Sequence, residues 1–177
     1  IEPATMEVLN HDFIKDGERV YRQGKLRRGV SPAGFRVVNA VYTGGPGGIW
    51  SIYGDAGICH PESFVALDDG DVPEGAVFPQ SYGRDEEFVY FFTGSTDTGR
   101  ALRIRACKEP ASFQVLCWQY ARDSSHIYYQ GAVVKKADEE SFAVLGGGYA
   151  RDKTHLFLGD RLLEEPPEGF VPRAVGT

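Results

Sequence analysis

Long apolar runs are missing from this sequence. The longest, such as FVYFF at 88–92, stop far short of the roughly 20 residues a membrane helix needs, so no membrane insertion is expected. An excess of positive charge is missing too. Twenty-five acidic against 19 basic side chains give a net charge of −6, which argues against nucleic acid as a partner and permits a basic protein surface. Cysteine is scarce: Cys59, Cys107 and Cys117 form no C-x-x-C pair and read as buried thiols in a reducing compartment. The opening IEPATMEVLN has neither a basic stretch nor an apolar core, so no signal peptide is expected in it.

Chemical motifs are equally sparse. GGPGG at 44–48 has the glycines of a phosphate loop but neither its lysine nor its Ser/Thr. His60 beside Cys59 is one pair with no second ligand pair near it in sequence, and reads as the start of a helical turn rather than a zinc site. DDGDVPEG at 68–75 lacks the alternating oxygen ligands of a calcium loop. Asp123, Ser125 and His126 are too close in the chain to meet as a triad. No catalytic residue, metal site or cofactor is expected, and the chain is read as a non-enzyme.

What the sequence does contain is repetition. QYARDSSHIYYQG, starting at Gln119, returns as GYARDKTHLFLGD, so that Tyr120, Asp123 and His126 recur as Tyr149, Asp152 and His155, 29 residues on. Five copies align. Their first halves are FIKDGERVY from Phe13, YTGGPGGIW from Tyr42, YGRDEEFVY from Tyr82, YARDSSHIY from Tyr120 and YARDKTHLF from Tyr149. Their second halves end in SPAGF, HPESF, EPASF, DEESF and PPEGF, at Phe35, Phe64, Phe113, Phe142 and Phe170.

The chemistry of the unit is simple. Asp16, Asp85, Asp123 and Asp152 can accept backbone amides of the residues just after them and reverse the chain. The aliphatic–aromatic pair that follows suits a returning strand, and Gly24, Gly54, Gly94, Gly131 and Gly159 suit a second turn. Ser31 or Asp138 can cap a short helical turn that drops its phenylalanine into the core. The position of His126 is held by Arg19, Gly48, Phe88 and His155 in the other copies, so the histidines are structural rather than catalytic. One unit is too small to bury its own apolar face, and copies must stack. The fold expected is mainly β with short helical turns: a tandem array of about five small hairpin or three-strand repeats, an open stack or a propeller-like ring. Residues 1–12 form a leader, and the units lie near 13–41, 42–81, 82–119, 120–148 and 149–177. Trp50 is expected in the core, and GGG at 146–148 is read as a flexible joint.

The run from Tyr120 to Asp160, YARDSSHIYYQGAVVKKADEESFAVL and then YARDKTHLFLGD, resembles the bacterial DKNYY repeat family. The likeness is strong over 120–159, fair over 82–116 and weak over 13–67. It implies a binding protein without catalytic residues. Family members include secreted or lipid-anchored proteins and immunity proteins encoded beside antibacterial toxins, among them effectors of type VI secretion systems. A cognate toxin, for example a nuclease, is therefore the partner expected, met in the cytoplasm or alternatively the periplasm. The alternative function is an envelope-associated scaffold module without a toxin partner.

The period breaks twice. Phe64 to Tyr82 spans 18 residues where the other such spacings are 7, and a second insertion lies around TGSTDTGRAL, 93–102. In repeat arrays such additions sit on loops, often at the binding face. The first insertion carries Asp68, Asp69, Asp71 and Glu74 with no basic residue from 68 to 81, followed by Phe78 and Tyr82. These six residues are the partner-binding candidates.

Overall fold

A computed structural model describes residues 5–70, 72, 78–94, 99–117 and 119–163. Nineteen short strands form five antiparallel sheets, each a meander in chain order. Sheet one holds β1 (Glu7–Val8), β2 (Phe13–Lys15), β3 (Val20–Arg22) and β4 (Lys25–Leu26). Sheet two holds β5 (Arg36–Val37), β6 (Tyr42–Gly45) and β7 (Gly48–Ser51). Sheet three holds β8 (Val65–Ala66), β9 (Ser81–Arg84), β10 (Val89–Phe92) and β11 (Leu102–Arg103). Sheet four holds β12 (Gln114–Val115), β13 (Tyr120–Arg122), β14 (Ile127–Tyr129) and β15 (Ala132–Val133). Sheet five holds β16 (Ala143–Gly146), β17 (Tyr149–Arg151), β18 (Leu156–Leu158) and β19 (Arg161–Leu163). Among the described residues no α-helix forms, and no helix is long and apolar enough to cross a membrane. The mainly β, five-fold array read from the sequence is what is found.

The central hairpin of four sheets closes on its aspartate. Oδ1 of Asp123 accepts the N–H groups of Ser125 and His126, both at 2.8 Å, while the Asp123 N–H donates to the carbonyl of His126 at 3.0 Å. Asp16, Asp85 and Asp152 repeat all three bonds with their own turns. Sheet two has Gly45 at this place. Its hairpin instead continues pairing to Gly45 and Gly48 around Pro46–Gly47. A Cβ on Gly44 would lie 2.2 Å from the Gly48 carbonyl oxygen, and one on Gly45 2.7 Å from that of Gly34. The glycines there allow backbone to touch backbone. Sheet two also lacks a fourth strand; an isolated bridge between Trp50 and Asp55 and the bond from Ala56 N–H to the Ile49 carbonyl stand in its place.

The strand after each phenylalanine pairs with the hairpin of the following copy: β5 with β6, β8 with β9, β12 with β13 and β16 with β17. Sheets two to five thus each open with residues that the repeat spacing assigns to the copy before. The phenylalanine is delivered by a tight turn, in which the N–H of Phe35, Phe64 or Phe113 donates to the carbonyl of Pro32, Pro61 or Pro110. Of these three turns, the one at Pro110–Ser112 is a 3-10 helix.

Four aromatic clusters fill the four junctions between consecutive sheets. Phe13, Phe35 and Trp50 join sheets one and two, which puts Trp50 in the core as expected. Tyr42, Phe64, Tyr90 and Phe92 join two and three. Tyr82, Phe91, Phe113 and Tyr128 join three and four. Tyr120, Phe142 and Phe157 join four and five. The phenylalanine register holds, although Phe142 is half-buried where Phe113 is fully buried. Phe170 and Trp118 lie outside the described residues.

Tyrosine hydroxyls tie the junctions as well. Tyr42, Tyr82 and Tyr120 donate to the carbonyls of Ser81, Gln119 and Gly148, each the residue just before the next copy's tyrosine. Gly146–Gly148 is no mere flexible joint: all three have positive φ, and Gly148 fixes both Tyr120 and the Gly159 N–H. Of the three thiols only Cys107 is buried. Cys117 is intermediate and Cys59 is exposed, because Cys59 precedes a turn on the surface rather than facing a junction.

The second carboxylate oxygen of Asp85, Asp123 and Asp152 reaches beyond its own turn. Oδ2 of Asp85 accepts the Tyr90 hydroxyl at 2.7 Å and the His60 N–H at 3.0 Å. That of Asp123 accepts the Tyr128 hydroxyl at 2.6 Å, and that of Asp152 the Asp138 N–H at 3.0 Å. Burial, the largest single influence, pushes all three carboxyls up. The hydrogen bonds together outweigh it and hold each below the ordinary aspartate range. A lowered folded-state pKa contributes stability that is complete above the unfolded value and is lost as pH falls through the folded one.

Two outcomes follow for stability. Phe113→Ala should lower unfolding free energy by about 3–5 kcal/mol, and Phe142→Ala by less, read from urea midpoints at constant slope. The urea midpoint of the wild type should fall on acidification below about pH 4. Asp152→Asn, which keeps an acceptor but cannot titrate, should flatten that fall.

Candidate protein-binding surface

A meander places alternate connections at opposite ends of its sheet. The aspartate turns, together with the helical turns bonded to them, occupy one end of the array. The connections β8–β9 and β10–β11 both emerge at the other end of sheet three. These are the two insertions. Breaks that are separate in sequence thus meet on one face.

The first insertion is anchored rather than loose. Oδ2 of Asp68 accepts the Tyr82 N–H at 2.7 Å, Oδ1 accepts the Gly70 N–H at 3.0 Å, and its carbonyl accepts Asn39 Nδ2 at 3.0 Å. Burial is the main cause that raises its pKa. Asp68 takes the place that Asn10 and Asn39 hold just before the first two copies, where each side-chain oxygen accepts two turn amides. It is a turn residue. Asp69 is exposed and holds the Ala40 N–H through its carbonyl, leaving its carboxylate to solvent. Asp71 and Glu74 lie outside the described residues.

The two aromatic candidates part company. Tyr82 is completely buried between sheets three and four, its hydroxyl donating to the Gln119 carbonyl and accepting the Gly131 N–H. Burial pushes its pKa well above the ordinary tyrosine range. Tyr82 therefore offers no surface to a partner, because an aromatic that opens a repeat belongs to the junction. Phe78 is 42% exposed, and its ring meets Tyr53, equally exposed, edge-on at 6.1 Å. Tyr53 also stacks at 6.2 Å on buried Phe92. Tyr53 escaped the sequence reading; its only signal was an aromatic in the short loop SIYGD after β7, where the second copy departs from the repeat.

The second insertion closes against the first. Gly94 has φ +72°, and a Cβ there would lie 2.5 Å from Cβ of Phe78. Ser51 Oγ donates to the Gly99 carbonyl at 2.6 Å, and Ala101 N–H to the Ala56 carbonyl at 2.9 Å. The described ends of both insertions and the 51–56 segment make one supported surface on which Tyr53 and Phe78 are exposed. Clefts open on either side at the same end. One of about 410 Å³ lies between sheets one and two, against Asn10, Thr43 and Ser51; one of about 560 Å³ lies between sheets four and five, against Gln119, Tyr129, Gly148 and Arg161. Rigid aromatics on a polar, acidic surface flanked by hollows can engage another protein, since such anchors carry most interface energy.

The DKNYY family model matches residues 104–161, from just after β11 to the first residue of β19. No curated protein sequence and no solved structure matches the chain. Both insertions lie outside the matched segment.

The roles of the neighbouring aspartates should separate on mutation. Asp68→Ala strands two turn amides and should cost about 1–3 kcal/mol in urea unfolding. Asp69→Ala should stay within about 0.5 kcal/mol of wild type.

Proposed function

Taking as premise that the chain carries a DKNYY-family segment at 104–161, we propose that it is a non-enzymatic immunity protein. It binds a cognate antibacterial toxin, of the class delivered by type VI secretion, and occludes its active site or substrate surface. The observation that carries this reading is the meeting of both insertions at one end of sheet three, with Tyr53 and Phe78 exposed on a braced backbone. Repeats build the scaffold; the departures from them supply a surface particular to this chain.

Charge points to the nature of the partner. The net charge of −6 and the free carboxylate of Asp69 favour a basic surface, such as the substrate groove of a nuclease, and speed encounter with it. A stable complex of this kind buries roughly 800 Å² on each partner, more than one aromatic pair supplies, so the flanking clefts belong to the footprint. The cytoplasm is the compartment proposed, with the periplasm as the alternative.

The test uses the toxin encoded by the adjacent open reading frame. Phe78→Ala or Tyr53→Ala should weaken its binding by about 2 kcal/mol or more, while Glu140→Ala at the far end leaves it unchanged. Co-expression should protect cells from the toxin, and the two aromatic variants should protect them less. Unchanged affinity in both aromatic variants would remove this surface from the complex. Absence of binding and protection would favour the envelope scaffold instead.

A further inference from the structure

At the end of the array opposite the insertions, the repeat supplies its own internal comparison. Each helical turn meets the aspartate turn of the next sheet at a corner, lined by the residues four and two before the phenylalanine and one and two after the aspartate. Between sheets four and five these are Asp138, Glu140, Lys153 and Thr154, and the corner is closed by an ion pair from Lys153 to Asp138 at 2.8 Å. Between sheets three and four they are Glu109, Ala111, Ser124 and Ser125, and between one and two Ser31, Ala33, Pro46 and Gly47. Between sheets two and three they are His60, Glu62, Glu86 and Glu87.

The backbone of that corner is the same as at sheets four and five. His60 N–H donates to Asp85 Oδ2 and Glu86 N–H to Ser63 Oγ, both at 3.0 Å. The equivalent bonds, from Asp138 N–H to Asp152 and from Lys153 N–H to Ser141, are 3.0 and 3.1 Å. Only the side chains have changed, and their excess of negative charge is greater. His60 Nε2 lies 2.9 Å from Glu87 Oε2, while Nδ1 faces Glu86 Oε1 at 3.3 Å and Glu62 Oε1 at 4.0 Å. One imidazole stands among three carboxylates, so even as an imidazolium it leaves two negative charges over. The lysine that pairs with an acid at the related corner is here Glu86.

We propose that His60, Glu62 and Glu86 form a site for a divalent transition-metal ion of the zinc type, with Glu87 orienting the histidine. Their ligand atoms all lie within 4.8 Å of one another. Four-coordinate zinc with bonds of about 2.0–2.1 Å needs them roughly 3.3 Å apart, a contraction that exposed glutamate side chains reach by rotation alone. Nε2–H donated to Glu87 fixes the tautomer that presents the Nδ1 lone pair to the metal, the carboxylate–histidine–metal arrangement that supports ligating imidazoles. Imidazole with carboxylate selects the borderline ions over calcium or magnesium, which prefer oxygen alone. Three protein ligands leave a fourth position to water. The backbone bonds of Asp85 and Ser63 hold the corner in place before any ion arrives.

The test is calorimetric titration of the intact protein with Zn(II). Saturable binding of one equivalent is expected, weakened at least about tenfold by His60→Ala and by Glu86→Gln, and about 10–100-fold by Glu87→Ala. Asp138→Asn, at the related corner, should leave it unchanged. Zinc should raise the thermal midpoint of the wild type and not that of His60→Ala. Both ligand variants change exposed side chains and keep the backbone bonds, so their circular dichroism should match wild type. Absence of a saturable equivalent overturns the proposal, as does undiminished binding in His60→Ala or displacement of zinc by equimolar calcium.

Discussion

A carboxylate that accepts bonds on both oxygens organises this molecule. At Asp85, Asp123 and Asp152 one oxygen closes a hairpin by taking two turn amides, and the other reaches a tyrosine hydroxyl or the first N–H of the preceding helical turn. Turn amides need acceptors, and strands of two to four residues make too few ladder bonds to hold themselves. The same side chain therefore shapes a sheet and fastens it to its neighbour. Where the residue is lost, at Gly45, the chain replaces it with glycines that let two backbones approach directly. That substitution works only because the side chains are gone on both sides of the contact.

Much of the fold was legible because the repeat is chemical as well as numerical. Phe35, Phe64 and Phe113 mark the junctions, and Asp16, Asp85, Asp123 and Asp152 close the hairpins, as their spacing implied. The place where one sheet ends and the next begins was not legible. A tandem array has no preferred point of division in its spacing, and only hydrogen bonding shows that β12 serves the hairpin after it rather than the one before.

The candidate surface was half legible. The insertions stood out by length, but within them composition misled. Asp68 looks like one acid in an anionic run and is in fact the cap of a turn, and Tyr82 looks like part of a loop and is the first core aromatic of its copy. Both follow from aligning the third copy with the others across its insertion. The corner at His60 was invisible for a different reason. Glu86 and Glu87 lie more than 25 residues away, and only the stacking of sheet three on sheet two brings them to the imidazole.

The borrowed first strand has an evolutionary consequence. Because sheets two to five are each completed by residues from the copy before, gaining or losing one 29-residue period among them leaves every remaining hairpin with a partner of the same kind. Unequal recombination can therefore lengthen or shorten such an array at any point without exposing a raw edge inside it. Lineages carrying this module are free to vary copy number independently of the loops that set each member apart.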